Sequence, residues 1–357
     1  MRSVFALLFL AVVLLAAWLA CALCVPVRGL PPEGVFVDIP HGASVRTIAH
    51  LLAEKGVLRS RIAFIALARW RSRSRLQAGE YFFNHPVNAI EVFHTLAEGR
   101  VYVVVVVVPE GANKFDVAEL VERAGLVSRA AFLEAVSDPT PIRDLAPSAR
   151  SLEGFLFPAS YPFPHHVTPQ EITKAMTDRF RGAWAKLAET SGTRNGLRLE
   201  EVVALASLVE RETPLPEERS LVAAVFVNRL RLGRALQCDP TVIYALELAG
   251  QYNGQLDAGD LNFNSPYNTY RRPGLPPGPI ANPGEASLRA ALGPAPVDYL
   301  YFVANTRGGH FFSRTLDEHN QYVARYRRLL AENHPGPDDG GKSADARRQK
   351  PRRQRLP

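Results

Sequence analysis

Glu201-Val202-Val203-Ala204-Leu205-Ala206-Ser207-Leu208-Val209-Glu210-Arg211-Glu212-Thr213-Pro214 is the stretch on which the reading of this chain turns. Its apolar run from Val202 to Val209 reads as a buried helix, which Pro214 stops. Glu210 therefore lies against apolar neighbours and near the negative end of the helix dipole. Both effects disfavour an ionised carboxylate and keep a Glu protonated, the state a general acid needs near neutral pH. The plainer alternative is a solvated Glu in the last turn of a core helix. Glu212 competes for the same role, and the local pattern does not choose between them.

The 357 residues allow two domains with appendages, and 47% hydrophobic with 22% charged residues is an ordinary globular composition. The net charge of +7 is unevenly placed. Residues 335–357 carry seven Lys/Arg against three Asp in a Pro/Gly-rich context with little to bury, and are expected to be a disordered basic tail. A weak hold on anionic lipid or polymer is its functional reading, and a solvated end its ordinary one. Nucleic acid is not expected as a partner, because the tail lacks interleaved aromatics and no binding motif precedes it.

Residues 4–25 form an uncharged run flanked by Arg2 and Arg28, long enough to span a bilayer. They are expected to be a transmembrane anchor behind a cytoplasmic stub of residues 1–3, with the body of the chain outside the cytoplasm. Ala20-Cys21-Ala22 also resembles a signal-peptide cleavage site. Cys21 and Cys24 fall in this run, which leaves Cys238 alone in the exported part, with no intrachain disulfide to form. The cysteines and the nine histidines show no metal-ligand spacing, and His165-His166 reads as a polar loop. No metal or organic cofactor is implied.

After a linker at residues 26–35 comes a weak internal repeat. Val37-Asp38-Ile39-Pro40-His41-Gly42-Ala43 is echoed by Val106-Val107-Val108-Pro109-Glu110-Gly111-Ala112. Each echo leads into an amphipathic helix that stops at a Gly (Gly56 and Gly125), and each continues into a second helix from Ser60 and from Ser128. Leu76 to Phe83 reads as a turn and strand, Ala89 to Glu98 as a helix ended by Gly99, and Val103 to Val108 as a buried strand. Beyond residue 151 the pattern predicts helices at 168–188, 199–212, 217–232, 236–248, 286–292 and 316–332, with short strands at 299–305 and 311–313. A Pro/Gly-rich loop fills 264–284.

Polar clusters surround the Glu210 helix in sequence. Glu153 lies among aromatic residues; Gln237, Asp239 and Thr241 stand at a turn opening a helix, where Asp239 either caps the helix or orients a ligand. Asn268 and Tyr270 belong to an irregular aromatic and amide-rich segment. Such surfaces hold sugars, whose rings stack on aromatic faces while amides and carboxylates read hydroxyls; a packed structural crossover is the alternative.

The run Ala206-Ser207-Leu208-Val209-Glu210-Arg211-Glu212 resembles the catalytic motif of the endolytic murein transglycosylases, membrane-anchored peptidoglycan lyases. So do Val225 to Leu230, Gln237 to Tyr244, Tyr267 to Tyr270, Gly274 to Ile280 and Tyr299 to Ala304, followed by Gly309-His310, in an order that fits across residues 36–330. The resemblance implies an α+β protein: an N-terminal transmembrane helix, a LysM-like βα region at 36–108, a second βα repeat unit and connection at 109–150, and a mixed α+β catalytic domain at 151–334. It implies a single pass through the bacterial inner membrane with the catalytic domain on the periplasmic side. It also matches the essential acid to Glu210 rather than Glu212, and implies internal cleavage of nascent glycan strands. Cys238 departs from the small hydroxyl residue expected before Asp239-Pro240-Thr241.

The chemistry expected needs one carboxyl group. Glu210 protonates the oxygen between N-acetylmuramic acid and N-acetylglucosamine, then accepts the proton of the muramic C6 hydroxyl as it attacks C1, closing a 1,6-anhydro ring. Glu153, Gln237, Asp239, Thr241, Asn268 and Tyr270 are the candidate substrate contacts. The expected partners are glycan strands, the bilayer through the N-terminal helix, and cell-wall synthases whose product the enzyme would cut. Two other readings stay open: a hydrolase with a second carboxylate such as Glu153 or Asp239, and a non-catalytic anchor of the synthesis machinery.

Overall fold

The computed structural model describes residues 2–71, 75–190 and 196–333. The basic tail at 335–357 lies outside the described residues. Two compact units form: the described residues of Met1–Thr190 with Ile280–Gly284, and those of Ser191–Pro279 with Glu285–Pro357. The architecture is mixed α and β, with short two-stranded antiparallel sheets among helices.

The first unit begins with α1 (Arg2–Cys24), whose apolar side chains such as Leu7 and Phe9 stand exposed. Among the described residues this is the one helix long and apolar enough to cross a membrane. The segment after it is tied to the unit: Val27 N–H donates to the carbonyl of Val87 (2.8 Å), and Arg59 donates to the carbonyls of Val25 and Pro26. Then follow β1 (Val35–Ile39), α2 (Val45–Glu54), α3 (Arg61–Trp70), β2 (Gly79–Phe83) and α4 (Ala89–Glu98). Strands β1 and β2 pair antiparallel across the two helices between them. The Ser44 and Ser60 side chains cap α2 and α3, and Gly99 ends α4 in the left-handed conformation. Val37, Ile39, Leu52, Phe64, Tyr81, Phe93 and Leu96 form the core.

The echo in the sequence is an echo in structure. After β3 (Val104–Val107) come α5 (Lys114–Arg123), α6 (Arg129–Ser137) and β4 (Ser160–Phe163), and β3 pairs antiparallel with β4. The stops at Gly56 and Gly125 have φ of 73° and 72°, a conformation that costs Gly nothing. One expectation fails: β3 is not a buried strand. Val106 is buried but Val105 and Val107 are 55% and 58% exposed, because only one face of this two-stranded ribbon is covered. An unbroken valine run has no alternation from which that could be read. Helix α7 (Pro169–Thr190) packs against α6, and Phe180 meets Phe155 edge-on.

Asn282, fully buried, stitches this unit together. Its Oδ1 accepts the N–H groups of Gly154 and Leu156, both at 2.9 Å, and its Nδ2 donates to the carbonyl of Ala112 (2.8 Å) and to Glu153 Oε1 (3.3 Å). Asn282→Ala strands two buried donors, so its expected cost is about 2–3 kcal/mol, read from the midpoint of urea unfolding.

The second unit is built on α8 (Leu199–Glu212), in which Leu199 and every residue from Val202 to Val209 is buried. A helix apolar on all sides needs partners on all sides. They are α9 (Arg219–Arg231), α10 (Asp239–Leu248) and α11 (Glu285–Leu292). The hairpin of β5 (Tyr301–Ala304) and β6 (His310–Ser313) packs with α12 (Leu316–Asn333). Asn228 Nδ2 donates to the carbonyls of Val297 and Tyr299, and Arg229 Nε to that of Leu300 (2.7 Å), which moors the approach to β5 on α9.

Candidate active site

The last turn of α8 presents two carboxylates, Glu210 and Glu212. Residues two apart point to different sides of a helix, so the two meet different partners. The Glu210 side chain is only 5% exposed, and its Oε1 accepts from Nη2 of Arg219, the first residue of α9, at 3.0 Å. The apolar surroundings expected from Val202 to Val209 are present, but the guanidinium works against the expected effect. Burial favours the neutral acid, whereas a cation at this distance favours the carboxylate. Arg219, buried as well, is the partner that the local sequence pattern did not disclose.

Glu212 is held differently. The Cys238 thiol donates to Glu212 Oε1 at 3.0 Å. Burial, and then the neighbouring Glu212, push the thiol well above its ordinary range, so it remains a donor. The cysteine thus makes the kind of contact that a hydroxyl would make. Beyond the helix end, Thr213 Oγ1 donates to Glu218 Oε2 (3.2 Å), and Glu218 takes the backbone N–H and faces Nδ1 of His310, both at 2.7 Å. This joins the exit from α8 to strand β6.

Around the start of α10 the candidates divide by role. Tyr270 Oη donates to Asp239 Oδ1 at 2.5 Å, and burial, then Asp239, hold the phenol far above its usual range. Asp239 is the first residue of α10 and does not cap it; Cys238 occupies the cap position. Gln237 has φ of 53°, the one positive value outside glycine among the described residues. Such a conformation costs roughly 1–3 kcal/mol and persists where surrounding structure imposes it. Here the Gln237 N–H donates to the carbonyl of Thr269, and Arg229 Nη1 reaches Gln237 Oε1 (3.3 Å).

Thr241 and Asn268 are fully buried and spend their polar atoms on the scaffold. The Thr241 hydroxyl meets the carbonyl of Cys238 (2.6 Å) and the hydroxyl of Thr269 (2.9 Å). Asn268 Nδ2 donates to the carbonyls of Leu261 and Phe263, and its Oδ1 accepts the Tyr270 N–H. These two residues shape the loop that carries Tyr270. Glu153 belongs to the first unit, where, 2% exposed, it accepts the Lys114 N–H on both oxygens. Tyr270→Phe removes the donor to Asp239. The expected result is a loss of about 1 kcal/mol in stability, with a larger change in turnover than in unfolding midpoint if the pair also orients a ligand.

This arrangement offers a buried carboxyl beside a cation, with an aromatic, amide and carboxylate loop following. The sequence matches the YceG-like family over residues 37–325. It is 34% identical to the endolytic murein transglycosylase of Bacillus subtilis (strain 168) over 84% of this chain and 87% of that protein. The protein of the same description from Streptococcus pneumoniae serotype 2 (strain D39 / NCTC 7466) is 28% identical over 84% of this chain, which spans 60% of that longer protein. The fold is similar to the crystal structure of a yceG-like protein from Listeria monocytogenes, with a TM-score of 0.55 at 32% identity, covering 82% of this chain and 100% of that one. With this much of its length matched, the chain belongs to the YceG-like family.

Proposed function

We propose that the protein is an endolytic peptidoglycan lytic transglycosylase in which Glu210 is the acid and base. The observation that carries this is the delivery of the Glu210 carboxyl, 5% exposed, by a helix whose residues from Val202 to Val209 are all buried. Glu210 protonates the leaving oxygen, and the resulting carboxylate takes the proton of the C6 hydroxyl as the anhydro ring closes. Arg219 steadies the carboxylate between the two transfers. The hydrolase alternative asks Glu153 or Asp239 to activate water. Glu153 already accepts the Lys114 N–H on both oxygens, and Asp239 accepts from Tyr270, so oxygens that would take a proton from water are engaged within the protein. Gln237, Asp239 and Tyr270 are the proposed substrate contacts, with Thr241 and Asn268 as their supports.

The strand–helix–helix–strand order from β1 to β2 supports a LysM-like reading of residues 36–108. The apolar, exposed α1 supports a single-pass anchor in the cell membrane that keeps the remaining chain outside the cytoplasm, beside newly made glycan and its synthases. The full chain in detergent, acting on long uncrosslinked strands, is expected to yield mid-length fragments first. Early release of disaccharide-sized products from strand ends would contradict endolytic cutting.

A further inference from the structure

A second chemical cluster lies in the first unit, among residues that the proposed reaction does not use. Glu80 on β2 is buried, its side chain 3% exposed, and its Oε1 faces two imidazoles: His165 Nδ1 at 2.7 Å and His166 Nδ1 at 2.9 Å. One oxygen and two nitrogens, from segments 85 positions apart, all lie within 4.8 Å of one another. We propose that Glu80, His165 and His166 form a binding site for a divalent transition-metal ion of the zinc class.

Three features favour this over a pair of incidental hydrogen bonds. The other carboxylate oxygen, Oε2, is fixed by the backbone N–H of His165 at 2.8 Å, which holds the carboxylate with Oε1 toward the two rings. Such anchoring of a ligating carboxylate is characteristic of sites that orient their ligands. The His165 ring is also held: Phe36 of β1 stacks on it at 4.0 Å with 7° between planes. Lastly, the imidazoles are 46% and 53% exposed, so an ion can enter from solvent and complete its shell with water.

The donor chemistry selects the ion. Two imidazoles and one carboxylate suit Zn²⁺, Co²⁺ or Ni²⁺ rather than the oxygen-seeking Mg²⁺ or Ca²⁺. Donor-to-metal distances near 2.0–2.2 Å require the half-exposed rings to move by roughly 1 Å. Before binding, each Nδ1 carries the proton that faces Glu80 Oε1; to offer that lone pair to the metal, a neutral ring exchanges its proton through solvent from Nδ1 to Nε2, and a cationic ring releases one proton. The ion would clip the β1–β2 ribbon to the segment that follows β4. The sequence reading assigned His165-His166 to a polar loop because no spacing rule reaches back to Glu80.

The test uses the full chain in detergent, without a polyhistidine tag and freed of metal by chelation. Calorimetric titration with ZnCl₂ is expected to show one equivalent bound, and saturation to raise the unfolding midpoint by about 3 °C or more. Co²⁺ is expected to give visible d–d bands from nitrogen ligation. His165→Ala/His166→Ala, which removes only exposed rings, is expected to weaken Zn²⁺ binding at least about tenfold and abolish the bands. Glu80→Gln is expected to do the same if it folds. No stoichiometric Zn²⁺ binding by the wild type, or binding unchanged in the histidine variant, would overturn the proposal.

Discussion

Glu210→Gln is expected to lower the rate of glycan cleavage by about 10²–10⁴-fold, the usual contribution of a positioned acid and base. The replacement keeps the shape of the side chain and an oxygen for Arg219 Nη2, so the fold should survive. Circular dichroism and the unfolding midpoint would establish that. Glu212→Gln is the matched control two residues on. It removes charge from a carboxylate that accepts the Cys238 thiol, and its expected effect on rate is tenfold or less. If the two variants lost activity equally, the distinction drawn between the faces of α8 would fail.

Arg219→Met is expected to destabilise the second unit by about 3–5 kcal/mol, because it removes the buried guanidinium that meets the Glu210 carboxyl at 3.0 Å. Denaturant unfolding of the full chain in detergent measures this as a shift in midpoint. The double variant Glu210→Gln/Arg219→Met then discriminates. If the single loss comes from an uncompensated charge, neutralising Glu210 should recover most of it, a coupling well outside the additive expectation. Loss in the double variant equal to the sum of the singles would mean that Arg219 acts through packing alone. Activity should be poor in both, since the second proton transfer needs a steadied carboxylate.

Much of the helical framework was legible because its signals are local. Ser60 and Ser128 open helices where the pattern placed them, Gly99 stops α4 at the expected end, and the apolar run before Glu210 announces a helix enclosed by others. The repeat foretold two similar units, but not that β1 would pair with β2 and β3 with β4 across the helices between them. Strand β4 was missed altogether: four residues with Pro162 among them carry no strand pattern until Val104 to Val107 lie alongside. The site shows the same limit. Glu210 stands out by its own neighbours, whereas Arg219 becomes its partner only when α9 folds back on α8. Asn282 looks like one more residue of a Pro/Gly-rich loop, and its role appears once it is seen bonded to Ala112, Glu153, Gly154 and Leu156.

The most direct test of the central claim is mass spectrometry of the ends made when the full chain in detergent digests purified glycan strands, wild type beside Glu210→Gln. New muramic ends that are one water lighter than hydrated reducing ends, and absent from the variant digest, are the result expected of a lytic transglycosylase with Glu210 as its acid. Hydrated ends from the wild type would contradict it, because water and a second carboxylate would then have done the work assigned to the C6 hydroxyl.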